Sequence, residues 1–132
     1  MPKSVLCFGS STKGDSTPFS FCRCFSRQSG FGKDFRFVKC DSPIDIMAYI
    51  DEGETIIMDT VKGIESVTLF SKLDDFLNVQ SVSVHDLDLG TFLKVLEGMD
   101  KLKNVSIVGI PFGSKKADII NGIGGILAGL RD

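Results

Sequence analysis

Five polar residues of this chain have the types and the placing for metal chemistry: Asp15, Ser16, Asp41, Asp59 and His85. Asp59 closes the run Ile56-Ile57-Met58-Asp59. Three large apolar residues in succession read as a strand buried on both faces, the state of a central strand in a parallel sheet. A carboxylate at the carboxyl end of such a strand stands at the edge where α/β sheets bind their ligands. Asp15 and Ser16 fall in a polar loop, residues 9–16, behind the first expected strand, and Asp41 directly follows the second. His85, the only histidine, precedes an amphipathic helix. An imidazole with carboxylates suits a divalent transition metal that keeps open positions for something else to bind. Taken singly, a strand-ending Asp also caps turns and a lone histidine is often a surface residue. Their companions come from strand ends, and that favours a site.

The elements that must position these residues follow from the hydrophobic pattern. Residues 4–8 read as a first buried strand ending at Gly9, and Pro18, capped by Ser16 or Thr17, opens a helix with Phe21, Cys22 and Phe25 on its apolar side. That helix stops around Gly30 and Gly32. Residues 35–40 alternate as a second strand, with Arg36 and Lys39 implying a polar edge. Ser42, Pro43 and Asp45 form a helix start resembling a capping box, placing Ile44, Met47 and Ala48 on one face. After the central strand, residues 66–70 read as a short strand leading away from the sheet, and 71–77 as a short helix at most. Residues 81–85 alternate as an extended stretch, with Asp86 or Asp88 capping the next helix. In that helix Leu89, Phe92, Leu93, Leu96 and Met99 recur at helical spacing. Residues 104–110 form a strand stopped by Pro111. Residues 117–130 form a last helix with Ile119, Ile120, Ile123, Leu127 and Leu130 on one side. Its glycines 122, 124, 125 and 129 each cost about 1 kcal/mol against Ala. Such a helix is partly formed, or packs closely inside the fold or against another subunit. Alternating strands and helices imply one α/β domain over residues 1–132, a three-layer sandwich. Its twisted sheet, largely parallel or mixed, has about five strands with helices on both faces.

Composition bounds the function. A chain of 132 residues with 42% hydrophobic and 24% charged residues can bury a real core. Net charge is -2 with scattered positive residues, which gives no footprint for nucleic acid. No apolar run is long enough for a membrane span or a signal peptide, so a cytoplasmic location is expected. There the four cysteines, 7, 22, 24 and 40, are expected as thiols. Cys22-Arg23-Cys24 lacks the spacing of a zinc knuckle, and one histidine cannot complete one. Gly9 to Ser16 resembles a phosphate loop, but Asp15 stands where its lysine must be, and a carboxylate repels phosphate. Asp86, Asp88, Gly90 and Glu97 misplace the glycine of a calcium loop, and Phe92, Leu93 and Leu96 demand a helix there. No Ser or Cys has a partnered base.

Four stretches in register resemble the maturation proteases of nickel–iron hydrogenases. Gly9-Ser10-Ser11-Thr12-Lys13-Gly14-Asp15-Ser16 matches their first loop, and Ile56-Ile57-Met58-Asp59-Thr60 their central Asp-Ala strand. Ser83-Val84-His85 matches their Ser-x-His before a helix, Val108-Gly109-Ile110 their aliphatic-Gly-Ile strand, and Asp41 an acidic position after the second strand. The resemblance, over residues 4–111, implies an endopeptidase that removes a C-terminal extension from the large-subunit precursor once nickel is inserted. It implies Asp59 and His85 as ligands of nickel carried by the substrate, or of another divalent transition metal, and as catalytic residues together with Asp15. The family's remaining ligand, a first-loop carboxylate, falls on Ser16, a departure that Asp15 would have to make good. The alternative it leaves is a relative that binds a metalloprotein client or maturation factor without cutting it. A homo-oligomer is compatible with either.

Overall fold

All seven residues of the central strand β3 (Thr55–Val61) are buried in the computed structural model, as its apolar, β-branched composition demands of a strand covered on both sides. The structure describes residues 3–8, 35–40, 42–49, 54–61, 64–79, 84–102, 104–111 and 116–130. Strands β1 (Lys3–Phe8) and β2 (Phe35–Cys40) precede β3, and β4 (Thr68–Phe70) and β5 (Val105–Pro111) follow it. The five make one sheet in the order β2-β1-β3-β5-β4. All pairings are parallel except that of β4 with β5. The stretch expected to lead away from the sheet therefore joins it. Pairing satisfies the backbone of β5 on that side and buries Phe70, a gain that three residues turned into solvent would forgo.

Strand alternation splits the core in two. Val5, Cys7, Ile56, Met58, Val108 and Ile110 face helix α3 (Lys116–Gly129), which contributes Ile119, Ile123 and Leu127. Leu6, Phe8, Ile57, Val61 and Ile107 face the other layer. Among the described residues that layer is made by a 3-10 helix, Pro43–Ala48, with helices α1 (Leu73–Val79) and α2 (Val84–Gly98). α2 enters the core through Leu89, Leu93 and Leu96. Burial at about 1.5–3 kcal/mol per side chain outweighs the exposed bridge from Lys94 to Asp74 and Glu97 (3.0 and 3.2 Å), which solvent screens. Those two carboxylates, Asp74 foremost through its hydrogen bond, hold the Lys94 ammonium above its ordinary range.

Two further expectations need correction. The capped segment after β2 does start at Pro43, and Ser42 N–H donates to Asp45 Oδ2 at 3.2 Å. It winds as a 3-10 helix, however, with about three residues per turn. Ile46 and Tyr49 then share the inner side, and Ile44 and Met47 stand 60% and 44% exposed. Likewise, α2 already includes Val84 and His85, so residues 84 and 85 are not extended and Asp86 and Asp88 lie within the helix rather than capping it. A five-residue alternation cannot compete with a helix whose leucines pack along the sheet.

Candidate functional site

Asp59 is the one charged residue buried among the described residues, at 1% exposure. It lies two residues inside the end of β3, since the strand runs on through Thr60 to Val61. A carboxylate resists leaving water unless hydrogen bonds or a cation compensate it. Its Oδ1 accepts the Thr60 N–H at 2.9 Å. By alternation between Ile57 and Val61, the side chain of Asp59 belongs to the sheet face that α2 covers.

The neighbouring strand explains itself from this point. Gly109 is the register partner of Asp59 on one side and of Thr68 on the other. A Cβ at Gly109 would stand 2.8 Å from Phe70 Cε2, 3.2 Å from Val61 and 3.3 Å from Ile64. Glycine is therefore required for the Phe70 ring to close the sheet beside Asp59. Neither Phe70 nor this contact was signalled by the hydrophobic pattern.

The backbone brings residue 85 to the same face and the same edge. α2 is 15 residues long, about 22 Å at 1.5 Å per residue. It is followed within a few residues by β5, which enters the sheet parallel to β3 and hence at the amino edge. Running back over a strand of about 23 Å, its first turn reaches the carboxyl edge. The 3-10 helix behind β2 touches α2, in keeping with this. The side chain of His85 lies outside the described residues. So do Asp15, Ser16 and Asp41, together with the helix expected after Pro18. Among the described residues no three His, Cys, Asp or Glu side chains lie close enough to hold a metal ion. Of the expected ligands, the described side chains thus include Asp59 alone, a hard carboxylate oxygen donor of the kind divalent metals accept.

Thr60 points the other way, towards the α3 layer. It is 5% exposed, and its hydroxyl is buried without a hydrogen-bond partner among the described residues. The cysteines divide. Cys40 is a buried thiol, as expected, but Cys7 is disulfide-bonded. Disulfide pairing depends on approach in space, which spacing along a chain does not reveal.

No family model matches the chain, and no curated protein does. Solved structures do. The NiFe hydrogenase maturation protease HybD from Thermococcus kodakarensis matches with a TM-score of 0.69 at 20% identity, covering 100% of both chains. The hydrogenase maturating endopeptidase HybD from E. coli matches at 0.61 with 12% identity, over 99% of this chain and 93% of that one. An uncharacterized protein from Wolinella succinogenes matches at 0.60 with 13% identity, over 99% and 95%. Among the described residues no helix is long and apolar enough to cross a membrane. From end to end, the chain carries the fold of the hydrogenase maturation proteases.

Proposed function

We propose that this protein is an endopeptidase of hydrogenase maturation, which removes a C-terminal extension from a nickel-loaded large-subunit precursor. The observation that carries the reading is the burial of Asp59 on β3, beneath the helix whose first turn holds His85, in a fold shared with two maturation proteases. In this reading Asp59 and His85 ligate the nickel that arrives with the client, and cleavage follows only when the metal is present. Asp15 supplies a further carboxylate from the first loop, beside Ser16, and Asp41 adds negative charge behind β2. A divalent ion held there would supply Lewis acidity, to polarise the scissile carbonyl or to acidify a water. Because Asp59 is 1% exposed, the residues over it must move before an ion reaches its oxygens. This reading keeps the cytoplasmic location expected from the sequence.

Tail removal from a nickel-loaded precursor, followed by mass spectrometry, tests this directly. Asp59→Asn keeps an acceptor for the Thr60 amide and removes the charge; cleavage should fall by about 10²-fold or more, as it should in His85→Ala. Unimpaired cutting by both variants would remove the basis of the proposal. A second reading, binding of the client without cutting, is favoured by Ser16, a hydroxyl where a third strong ligand is wanted. In that case the wild type leaves the tail intact, and Ser16→Glu raises affinity for nickel or cadmium; an enzyme that uses Asp15 gains little from the same change.

A further inference from the structure

Across the sheet from Asp59, a cavity of about 280 Å³ opens between the first turns of α3 and the connection from β3 to β4. Its floor is apolar, formed by Val67, Pro111 and Ile119, and it narrows where a Cβ at Gly122 would stand 2.8 Å from Val67. Its mouth carries Glu65 and Asp118, both exposed. No described residue forms an ion pair with either carboxylate. The volume falls below the roughly 300–1,000 Å³ of pockets for drug-sized ligands, so it holds a side chain rather than a cofactor.

We propose that this cavity binds the side chain of a lysine or arginine presented by a polypeptide client, the aliphatic stem on the apolar floor and the cation between Glu65 and Asp118. Long basic side chains divide themselves in this way. The amino end of α3 opposes a cation with about half a positive charge. Two carboxylates outweigh it, and they exclude anionic residues. Because Asp59 faces the other layer, the residue held here is not the one whose peptide bond is cut. The inference rests on the reading above only in supposing a polypeptide client.

The test uses the full chain, ¹⁵N-labelled, titrated with the blocked tripeptides Ala-Arg-Ala and Ala-norleucine-Ala. Ala-Arg-Ala should shift the amides of residues 65–67 and 118–122 and weaken with salt, while norleucine binds at least about fivefold more weakly. Glu65→Gln, outside any helix or strand, and the double variant with Asp118→Asn should lose Ala-Arg-Ala binding progressively, their spectra elsewhere unchanged. Equal binding of norleucine, shifts confined to other residues, or full binding by the double variant each overturns the proposal. Asp59→Asn should leave the titration intact. A chain that cuts its client yet fails the titration refutes the cavity alone; one that titrates but never cuts refutes the peptidase alone.

Discussion

Asp59 and Thr60 are consecutive, and strand alternation sends one side chain into each layer of the fold. The carboxylate accepts a hydrogen bond from the amide beside it; the hydroxyl, 5% exposed, has no partner among the described residues. A buried hydroxyl without a partner costs about 1–3 kcal/mol, and valine has nearly its shape. Thr60→Val should therefore raise stability by about 1 kcal/mol, or Tm by about 4 °C in a domain of this size. Differential scanning calorimetry reads this, and an unchanged or lowered Tm would mean that the hydroxyl is satisfied after all. The buried strand that carries Asp59 was legible in the sequence from the three large apolar residues before it; that the strand runs on past the carboxylate to Val61 was not. Nor was the predicament of Thr60, since it depends on which groups face it from another element. The same limit applies to Gly109, whose necessity appears only once Phe70 is placed 2.8 Å from where its Cβ would be.

Among elements, α3 shows what glycine does by position. All four of its glycines carry the same intrinsic helix penalty, yet only Gly122 meets a neighbour, Val67, too close for a methyl group. At Gly124, Gly125 and Gly129 a Cβ finds open space. Gly125→Ala should stabilise by about 1 kcal/mol through helix propensity. Gly122→Ala gains the same propensity, but the overpacking against Val67 costs about 1–3 kcal/mol, so the net effect is neutral to destabilising. Urea denaturation of the two variants separates them, and equal gains would show that Val67 yields at no cost. The helix is fully formed despite its glycines because Ile119, Ile123 and Leu127 are buried, and packing supplies what propensity lacks. Elements with a continuous apolar run or a strong periodic face, β1, β2 and α3, could be read from the sequence to within a residue at the ends described, and β3 to within two. The start of α2 and the fate of β4 could not. Both are decided by what lies opposite, the sheet face for the helix and the open side of β5 for the strand.

At the scale of the whole molecule, the alternation of strands and helices announced the layered architecture, but the order β2-β1-β3-β5-β4 is a matter of contacts between residues far apart in the chain. Lys3 condenses that point into one side chain. Its ammonium donates to the carbonyl of Leu130 at 2.7 Å, 127 residues away, and pairs with Glu54 at 3.0 Å where β3 begins. One cation thus ties the start of β1, the entry to the central strand and the carboxyl end of α3, where the helix dipole favours positive charge. The partners are only 24% and 31% exposed, so solvent screens them less than a surface pair. Lys3→Met keeps most of the stem and removes the charge, and should cost about 1 kcal/mol. It should act locally as well: the Leu130 amide, which donates to Ile126 and Leu127 at 3.2 and 3.0 Å, should exchange with solvent about fivefold faster. Glu54→Gln, which breaks the ion pair alone, should cost less and leave Leu130 exchange nearly unchanged, because the contact to the carbonyl survives. If Lys3→Met lowers stability without touching Leu130 exchange, the ammonium serves only Glu54 and the end of α3 is held by its buried leucine and isoleucines instead.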